Sequence, residues 1–144
     1  MKSFDWQNFL RDHPVFSSLN EEELAHLLQD EVSQERVYPQ GSVILRGGEA
    51  GDSVFLLCAG SVQVTLGGAG APRFSLATIQ AGEIFGEMAV LERRPRSATV
   101  LAREDCLLLE IAGEEIRKLL EAHLEMQVKM YTLIRDRLRQ ASER

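Results

Sequence analysis

Residues 41–86, "GSVILRGGEAGDSVFLLCAGSVQVTLGGAGAPRFSLATIQAGEIFG", decide the fold. Short runs of apolar and β-branched residues alternate with glycines that recur at close intervals. This spacing predicts short strands joined by tight turns, as in an all-β sandwich or barrel. Residues 97–111, "SATVLAREDCLLLEI", predict two further strands. The turn glycines are Gly41, Gly47, Gly48, Gly51, Gly60, Gly67, Gly68, Gly70 and Gly82.

Helical patterns flank this β core on both sides. Residues 4–10 and 21–28 space their apolar side chains as helices do, and Asn20 with Glu23 has the spacing of a capping box. From Gly113 onward the pattern is helical again, with a bend expected near His123. We therefore expect one α+β domain over residues 1–144: N-terminal helices in 1–37, the β core in 38–112 and C-terminal helices in 113–143.

Composition limits the functional classes. The 144 residues contain 44% hydrophobic and 26% charged residues, as soluble globular domains do. A formal charge of −6 argues against a general nucleic-acid surface, which needs a basic face. The sequence shows neither a secretion signal nor an apolar run long enough to span a membrane, so we expect a cytoplasmic protein. Cys58 and Cys106 lie in apolar runs without metal-binding spacing, and we expect buried, reduced thiols.

The C-terminal helical segment carries an apolar stripe that must be covered. The stripe could lie on the β core, or part of it could pair with the same helix of a second chain as a heptad-like seam. Both arrangements could hold along different halves. Arginines near its end suit the negative end of a helix dipole, and we expect solvated charges there. The stripe comprises Ile116, Leu120, Leu124, Gln127, Tyr131, Ile134 and Leu138, and the arginines are Arg135, Arg137, Arg139 and Arg144.

Residues 85–100, "FGEMAVLERRPRSATV", carry the chemistry. The chain leaves a predicted strand at Ile84 and Phe85, turns at Gly86 and enters a short helix, whose free amides can hold a phosphate. Arg96 would add positive charge and a planar donor fork. Glu87 would repel a phosphate unless it accepts hydrogen bonds, and a sugar hydroxyl on the same ligand would donate one. Together these residues indicate a sugar phosphate.

The chain resembles the cyclic nucleotide-binding domain family. Residues 85–100 are similar to its phosphate-binding cassette, including the spacing from Glu87 to Arg96. Residues 13–29, "HPVFSSLNEEELAHLLQ", resemble its first helices, and residues 41–64 resemble its first strands. Residues 107–123, "LLLEIAGEEIRKLLEAH", resemble its transition into the C-terminal helices. The resemblance implies an antiparallel, jelly-roll-like β-roll with the cassette at 82–100, N-terminal helices and a long C-terminal helix.

The resemblance also implies roles for particular residues. Glu87 would accept from the ribose 2′-hydroxyl and Arg96 would hold an exocyclic phosphate oxygen. Backbone amides from Gly86 through Met88 to Ala89 would also hold the phosphate. Ser97 stands where the family helps to select the purine. Three apolar residues match positions that line the family's pocket, although plain core packing would explain them equally well: Val64, Leu76 and Phe85. Arg93 and Arg94 do not match the cassette arginine, and we expect them in a solvated loop.

The resulting expectation is a sensor of a cyclic mononucleotide, with cyclic AMP favoured over cyclic GMP. Ligand binding would couple to movement of the C-terminal helix, and the partners would be the nucleotide, a second copy through that helix and an unidentified effector protein. We expect no enzyme, because the sequence shows no Ser/His/Asp arrangement. We also expect no cofactor and no metal, since His13, His26 and His123 lack metal-ligand spacing. Alternatives are a ligand-free or cyclic-dinucleotide-binding interaction module, or the sensor half of a longer transcription regulator whose helix-turn-helix is absent from this sequence.

Overall fold

The computed structural model describes residues 2–66 and 74–142, with side chains for 2–66 and 76–137. Two short helices come first, and Asn20 and Glu23 form the predicted capping box at the start of the second. Eight strands follow, interrupted by one short helix, and two helices end the chain. The helices are α1 (Trp6–Asp12), α2 (Glu21–Leu27), α3 (Glu87–Leu91), α4 (Gly113–Ala122) and α5 (Leu124–Ser142). The strands are β1 (Ser33–Tyr38), β2 (Val43–Leu45), β3 (Ser53–Ala59), β4 (Ser61–Leu66), β5 (Phe74–Gln80), β6 (Ile84–Phe85), β7 (Thr99–Ala102) and β8 (Cys106–Ala112).

The strands form two four-stranded antiparallel sheets. One has the order β1-β8-β3-β6 and the other the order β2-β7-β4-β5. Because side chains alternate along a strand, β3 serves two cores. Its Val54 and Leu56 pack toward the helices, whereas Phe55 and Leu57 pack between the sheets. This arrangement is the β-roll that the family resemblance implied, flanked by helices at both ends of the chain.

The boundary predicted at residue 38 is wrong, because β1 already begins at Ser33. The strand "SQERVY" is polar, so it carries little of the apolar alternation from which strands are predicted. It lies at the edge of its sheet and, among the described strands, pairs with β8 alone, with Ser33 opposite Ile111 and Tyr38 opposite Cys106. An edge strand with one solvated face does not require apolar side chains on both faces.

The predicted bend at His123 is confirmed, but the predicted stripe beyond it is wrong at Leu124 and Tyr131, whereas Ile134 is half-buried as expected. Helix α4 ends at Ala122, His123 is extended, and α5 starts at Leu124. The break changes the rotational phase, so that Met126 and Met130 of α5 are fully buried. By contrast, Leu124 and Tyr131 are 73% and 63% exposed. Among the stripe residues of α4, Ile116 and Leu120 are buried as expected. The side chain of Leu138 lies outside the described residues.

The two thiols are free, but their environments differ. Cys106 is buried and donates to the carbonyl oxygen of Ser61 at 3.4 Å. Cys58 is only half-buried, which corrects the expectation for that residue. Burial raises the pKa of both thiols. Across the described ranges, no helix has both the length and the apolar character needed to cross a membrane. The turn glycines Gly67, Gly68 and Gly70 lie outside those ranges.

Candidate functional site: a cavity between the β-roll and the last helix

The cassette adopts the local structure predicted from its sequence. Strand β6 ends at Phe85, and Gly86 caps α3 with a φ of 82°, in the left-handed region that favours glycine. A side chain at Gly86 would also lack space, since a Cβ there would lie 2.9 Å from Nη1 of Arg96. Glycine at this position therefore permits both the turn from strand to helix and the close approach of the arginine.

A cavity of about 380 Å³ opens beside the cassette. Its walls come from the second sheet, the cassette and α5, and most of them are apolar. All nine residues singled out from the sequence line this one cavity: Val64, Leu76, Phe85, Gly86, Glu87, Met88, Ala89, Arg96 and Ser97. The volume lies within the range typical of small-molecule sites. Whether these residues hold a ligand remains a prediction.

Arg96 is buried, with 6% of its surface exposed. Its Nη1 donates to the carbonyl oxygens of Ser53 and Gly86, both at 3.0 Å, and its Nη2 donates to Oγ of Ser53 at 3.2 Å. The guanidinium also lies 5.8 Å from the centre of the Phe55 ring, which stacks on Phe85. Burial lowers the pKa of Arg96, while the carboxylates of Glu110, Asp52 and Glu87 act in the opposite direction. The site thus holds a buried cation against the β-roll.

Glu87 is buried as well, with a side chain only 5% exposed. Its Oε1 accepts from Nη1 of Arg137 at 2.6 Å, and Nη2 of Arg137 donates to the carbonyl oxygen of Ile84. Arg137 belongs to α5, so a residue from the last helix neutralises the carboxylate of the cassette. The expectation that Arg137 is a solvated charge is wrong, since its side chain is 22% exposed and ion-paired.

The sequence assigned to the site neither of the residues through which α5 reaches the cavity, although Ile134 belonged to the predicted apolar stripe. Ile134 and Arg137 line the cavity and are three residues apart, which places them on one helical face. They continue the face on which Met126 and Met130, nearer the start of α5, are buried. Restarting the helical phase after the break at His123 would have found this signal. The side chains of Arg139 and Ser142, and Arg144, lie outside the described residues.

The remaining cassette residues lie at the rim or in the core. Ser97 is exposed at the edge of the cavity. Arg93 and Arg94 are exposed, as predicted, but Arg94 also borders the cavity, where it pairs with Glu92 at 3.2 Å. The two explanations for the apolar residues, core packing and lining of the cavity, are compatible at Phe85. Phe85 is 2% exposed and belongs to the core between the sheets, and it also forms part of the cavity wall.

The histidines have structural partners in three separate places. His13 is buried and lies 2.6 Å from the carbonyl oxygen of Gly82, where the cassette begins. His26 pairs with Glu115 at 3.0 Å and His123 pairs with Glu23 at 2.6 Å. Both of these pairs connect α2 to the C-terminal helices. The histidines thus anchor elements of the fold to one another.

Comparison with known proteins gives consistent matches. Residues 35–123 match the family model described as cyclic nucleotide-binding domain. The chain is 33% identical over 132 residues to the cyclic AMP receptor protein of Thermus thermophilus, covering 92% of this chain and 60% of that protein. It is 34% identical over 129 residues to cGMP-dependent protein kinase, isozyme 1, of Drosophila melanogaster, covering 86% of this chain and 16% of the kinase. The chain thus spans about three fifths of the first relative and about one sixth of the second.

Solved structures show the same architecture. The crystal structure of the Thermus thermophilus catabolite activator protein superimposes with a TM-score of 0.72 at 33% identity, over 90% of this chain and 60% of that one. The sensor domain of the transcriptional regulator DNR from Pseudomonas aeruginosa gives a TM-score of 0.79 at 20% identity, over 96% and 91% of the two chains. The second comparison shows the fold alone, because its identity is low.

Proposed function

The chain belongs to the cyclic nucleotide-binding domain family, and from this premise we propose that it binds a cyclic purine mononucleotide in the cavity beneath α5. The observation that carries the proposal is the burial of two opposite charges, Arg96 and Glu87, in the wall of one mostly apolar cavity. Burying charge is costly unless it is paired or used. A ligand with an anion, a sugar hydroxyl and a flat ring would match these walls.

Each part of the nucleotide has a counterpart. The cyclic phosphate would accept from Arg96 and from backbone amides at the start of α3, where helix amides lack intrahelical partners. The ribose 2′-hydroxyl would donate to Glu87. The purine would lie against Val64 and Leu76, with Ile134 of α5 on its other side. We propose binding without any covalent step.

Among the purines, we place cyclic AMP ahead of cyclic GMP. The Thermus relative, which covers more of this chain than the Drosophila kinase does, is named a cyclic AMP receptor. The hydroxyl of Ser97 can donate or accept, so it is compatible with either purine. The order of the two nucleotides therefore has to be measured.

Helix α5 is the element through which binding would be transmitted. It supplies both Arg137 and Ile134 to the cavity, so occupancy would favour the arrangement in which α5 is closed onto the β-roll. The opposite face of α5 exposes Leu124, Val128 and Tyr131, which are spaced four and three residues apart. We propose that a second copy of the chain covers this face, and that an effector protein reads the position of α5.

Calorimetric titration of the purified chain with cyclic AMP, and separately with cyclic GMP, tests the proposed function. We expect saturable binding that Arg96→Ala weakens by about 1.5–3 kcal/mol, the range for hydrogen bonds to charged groups. Arg103→Ala is the matched control, because Arg103 is exposed and is not among the residues that line the cavity. This control should bind as the wild type does.

Three results would contradict the proposal. Equal losses in the two variants would show that Arg96 does not hold the phosphate. Binding of a cyclic dinucleotide in place of either mononucleotide would assign the cavity to that ligand. Absence of heat with every nucleotide, for protein shown by circular dichroism to be folded, would identify a ligand-free interaction module.

A further inference from the structure

Arg96 lies between two cavities. One is the 380 Å³ cavity beneath α5, and the other, of about 410 Å³, is bounded by β2, β3 and the loop between them. Both cavities include Arg96 in their walls. A long side chain with open space on two sides requires fixed partners if its donors are to point in one direction. The direction is important because a guanidinium recognises oxygen atoms through a planar fork of N–H groups.

Ser53, the first residue of β3, supplies two of these partners. Its carbonyl oxygen accepts from Nη1 of Arg96 and its Oγ accepts from Nη2. A serine hydroxyl has one hydrogen, and that hydrogen must point away from the guanidinium if Oγ is to accept from it. The acceptor for it is Oε2 of Glu110 on the neighbouring strand β8, at 2.7 Å.

The carboxylate of Glu110 is itself held from the other side. Its Oε1 accepts from Nε of Arg36 on β1 at 3.0 Å. The hydrogen bonds thus run across three adjacent strands, from Arg36 through Glu110 and Ser53 to Arg96. Space is restricted as well, because a Cβ on Gly51 would lie 2.4 Å from Nε of Arg96. Arg96 is therefore held by both hydrogen bonds and close packing.

We propose that Ser53 and Glu110 are positioning residues that fix the Arg96 fork toward one exocyclic oxygen of the cyclic phosphate. The inference rests on the proposed function and assigns to that site two residues outside the cassette. Glu110 orients the Ser53 hydroxyl, and the hydroxyl holds Nη2. With the hydroxyl removed, the guanidinium would keep its carbonyl partners but could rotate toward the second cavity.

The experiment uses the two phosphorothioate diastereomers of cyclic AMP, which differ in the exocyclic oxygen that sulfur replaces. For wild-type protein we expect unequal affinities, because Arg96 faces one of these two positions. Ser53→Ala should weaken binding of cyclic AMP by roughly three- to tenfold, the equivalent of one ordinary hydrogen bond. It should also bring the ratio of the two diastereomer affinities toward one, and Ser53→Thr, which keeps a hydroxyl, should restore that ratio.

Two further variants complete the design. Glu110→Ala, at a side chain 27% exposed, should change the ratio in the same direction and provides a second variant if Ser53→Ala folds poorly. Ser61→Ala is the matched control. Ser61 is a buried strand serine on β4, outside both cavity walls, and its removal should leave the ratio unchanged.

The outcomes separate this inference from the proposed function. If wild-type protein binds cyclic AMP but Ser53→Ala and Glu110→Ala retain its diastereomer ratio, the positioning role is wrong, even where affinity falls uniformly. If the wild type binds neither cyclic AMP nor cyclic GMP, the proposed function fails and this inference fails with it. A reduced ratio that Ser53→Thr restores would establish the role.

Discussion

The two buried charges of the cavity are stabilised in different ways. Arg96 finds its partners within the β-roll, on Ser53 and Gly86. Glu87 depends on Arg137, which arrives from α5, about 50 residues further along the chain. The end of the cavity proposed for the phosphate is therefore complete without the C-terminal helices, whereas the end proposed for the ribose is complete only when α5 is in place.

This difference suggests how a ligand could act on α5. A carboxylate has two oxygens and about four acceptor sites, so Glu87 can accept from Arg137 and from a sugar hydroxyl together. A nucleotide held at Arg96 would present its ribose to Glu87 and its base to Ile134. It would then favour the arrangement with α5 closed, in proportion to the additional contacts made in that arrangement.

The largest expected effect is on stability, from Arg137→Ala. The substitution leaves Glu87 buried without its cation, and breaking a buried pair typically costs about 3–5 kcal/mol. We expect about 2–3 kcal/mol, since the side chain of Arg137 is 22% exposed and water can partly replace it. Urea denaturation without ligand measures the loss. Arg135→Ala, at a neighbouring side chain 66% exposed, should change the free energy of unfolding by less than about 0.5 kcal/mol.

A double variant distinguishes the ion pair from simple packing. If the cost arises from the unpaired carboxylate, Glu87→Gln combined with Arg137→Ala should be more stable than Arg137→Ala alone. Equal stability of Arg137→Ala and Arg135→Ala would remove the contrast between the two ends of the cavity. It would mean that Glu87, like Arg96, has sufficient support from the β-roll itself.

Local signals made the cassette predictable, and the lack of such signals explains what the sequence did not show. Gly86 follows a short apolar strand and precedes a helix start, and each of these features is encoded within a few residues. Arg137 was missed because its position depends on the helical phase, which the break at His123 resets. Strand β1 was missed because an edge strand can be polar, and its pairing partner lies about 75 residues away in the sequence. The contacts of Ser53 with Glu110 likewise exist only once the strands have paired.

A smaller effect is expected at the outward face of α5, where Val128→Glu tests the proposed second copy. A charge in the centre of an apolar contact should weaken association by about tenfold or more, as changes at the centre of interfaces commonly do. Light scattering over a range of concentrations measures the mass. Val37→Glu is the matched control, since Val37 is 70% exposed on β1 and Val128 is 58% exposed on α5.

The same two variants also show whether association of two copies affects the end of the cavity that depends on α5. If a second copy holds α5 in place, Val128→Glu should weaken cyclic AMP binding along with association, and Val37→Glu should change neither. Wild-type protein that remains monomeric at every concentration would contradict the proposed partner. Loss of the dimer in Val37→Glu alone would move the contact to the edge of the first sheet.

The smallest effect is expected from acid, at the phosphate end. His13 accepts from the backbone N–H of Val15 at Nδ1 and therefore donates from Nε2 to the carbonyl oxygen of Gly82. Burial lowers the pKa of His13, while the hydrogen bond to Gly82 acts in the opposite direction. The unfolded chain therefore binds a proton at His13 more readily than the folded protein does. The contribution of His13 to stability is complete above its unfolded pKa of about 6.5, and it is lost as the pH falls through its folded pKa.

The free energy of unfolding should therefore fall between pH 7.5 and pH 5.5 by a larger amount in wild-type protein than in His13→Gln. His26 and His123 are present in both proteins, so the difference isolates His13. Protonation would remove the acceptor for the backbone N–H of Val15 and would leave a buried charge beside Gly82, where the cassette begins. An identical pH dependence in the two proteins would show that the buried His13 ring contributes no acid sensitivity. It would also mean that the phosphate end of the cavity does not depend on α1, just as it does not depend on α5.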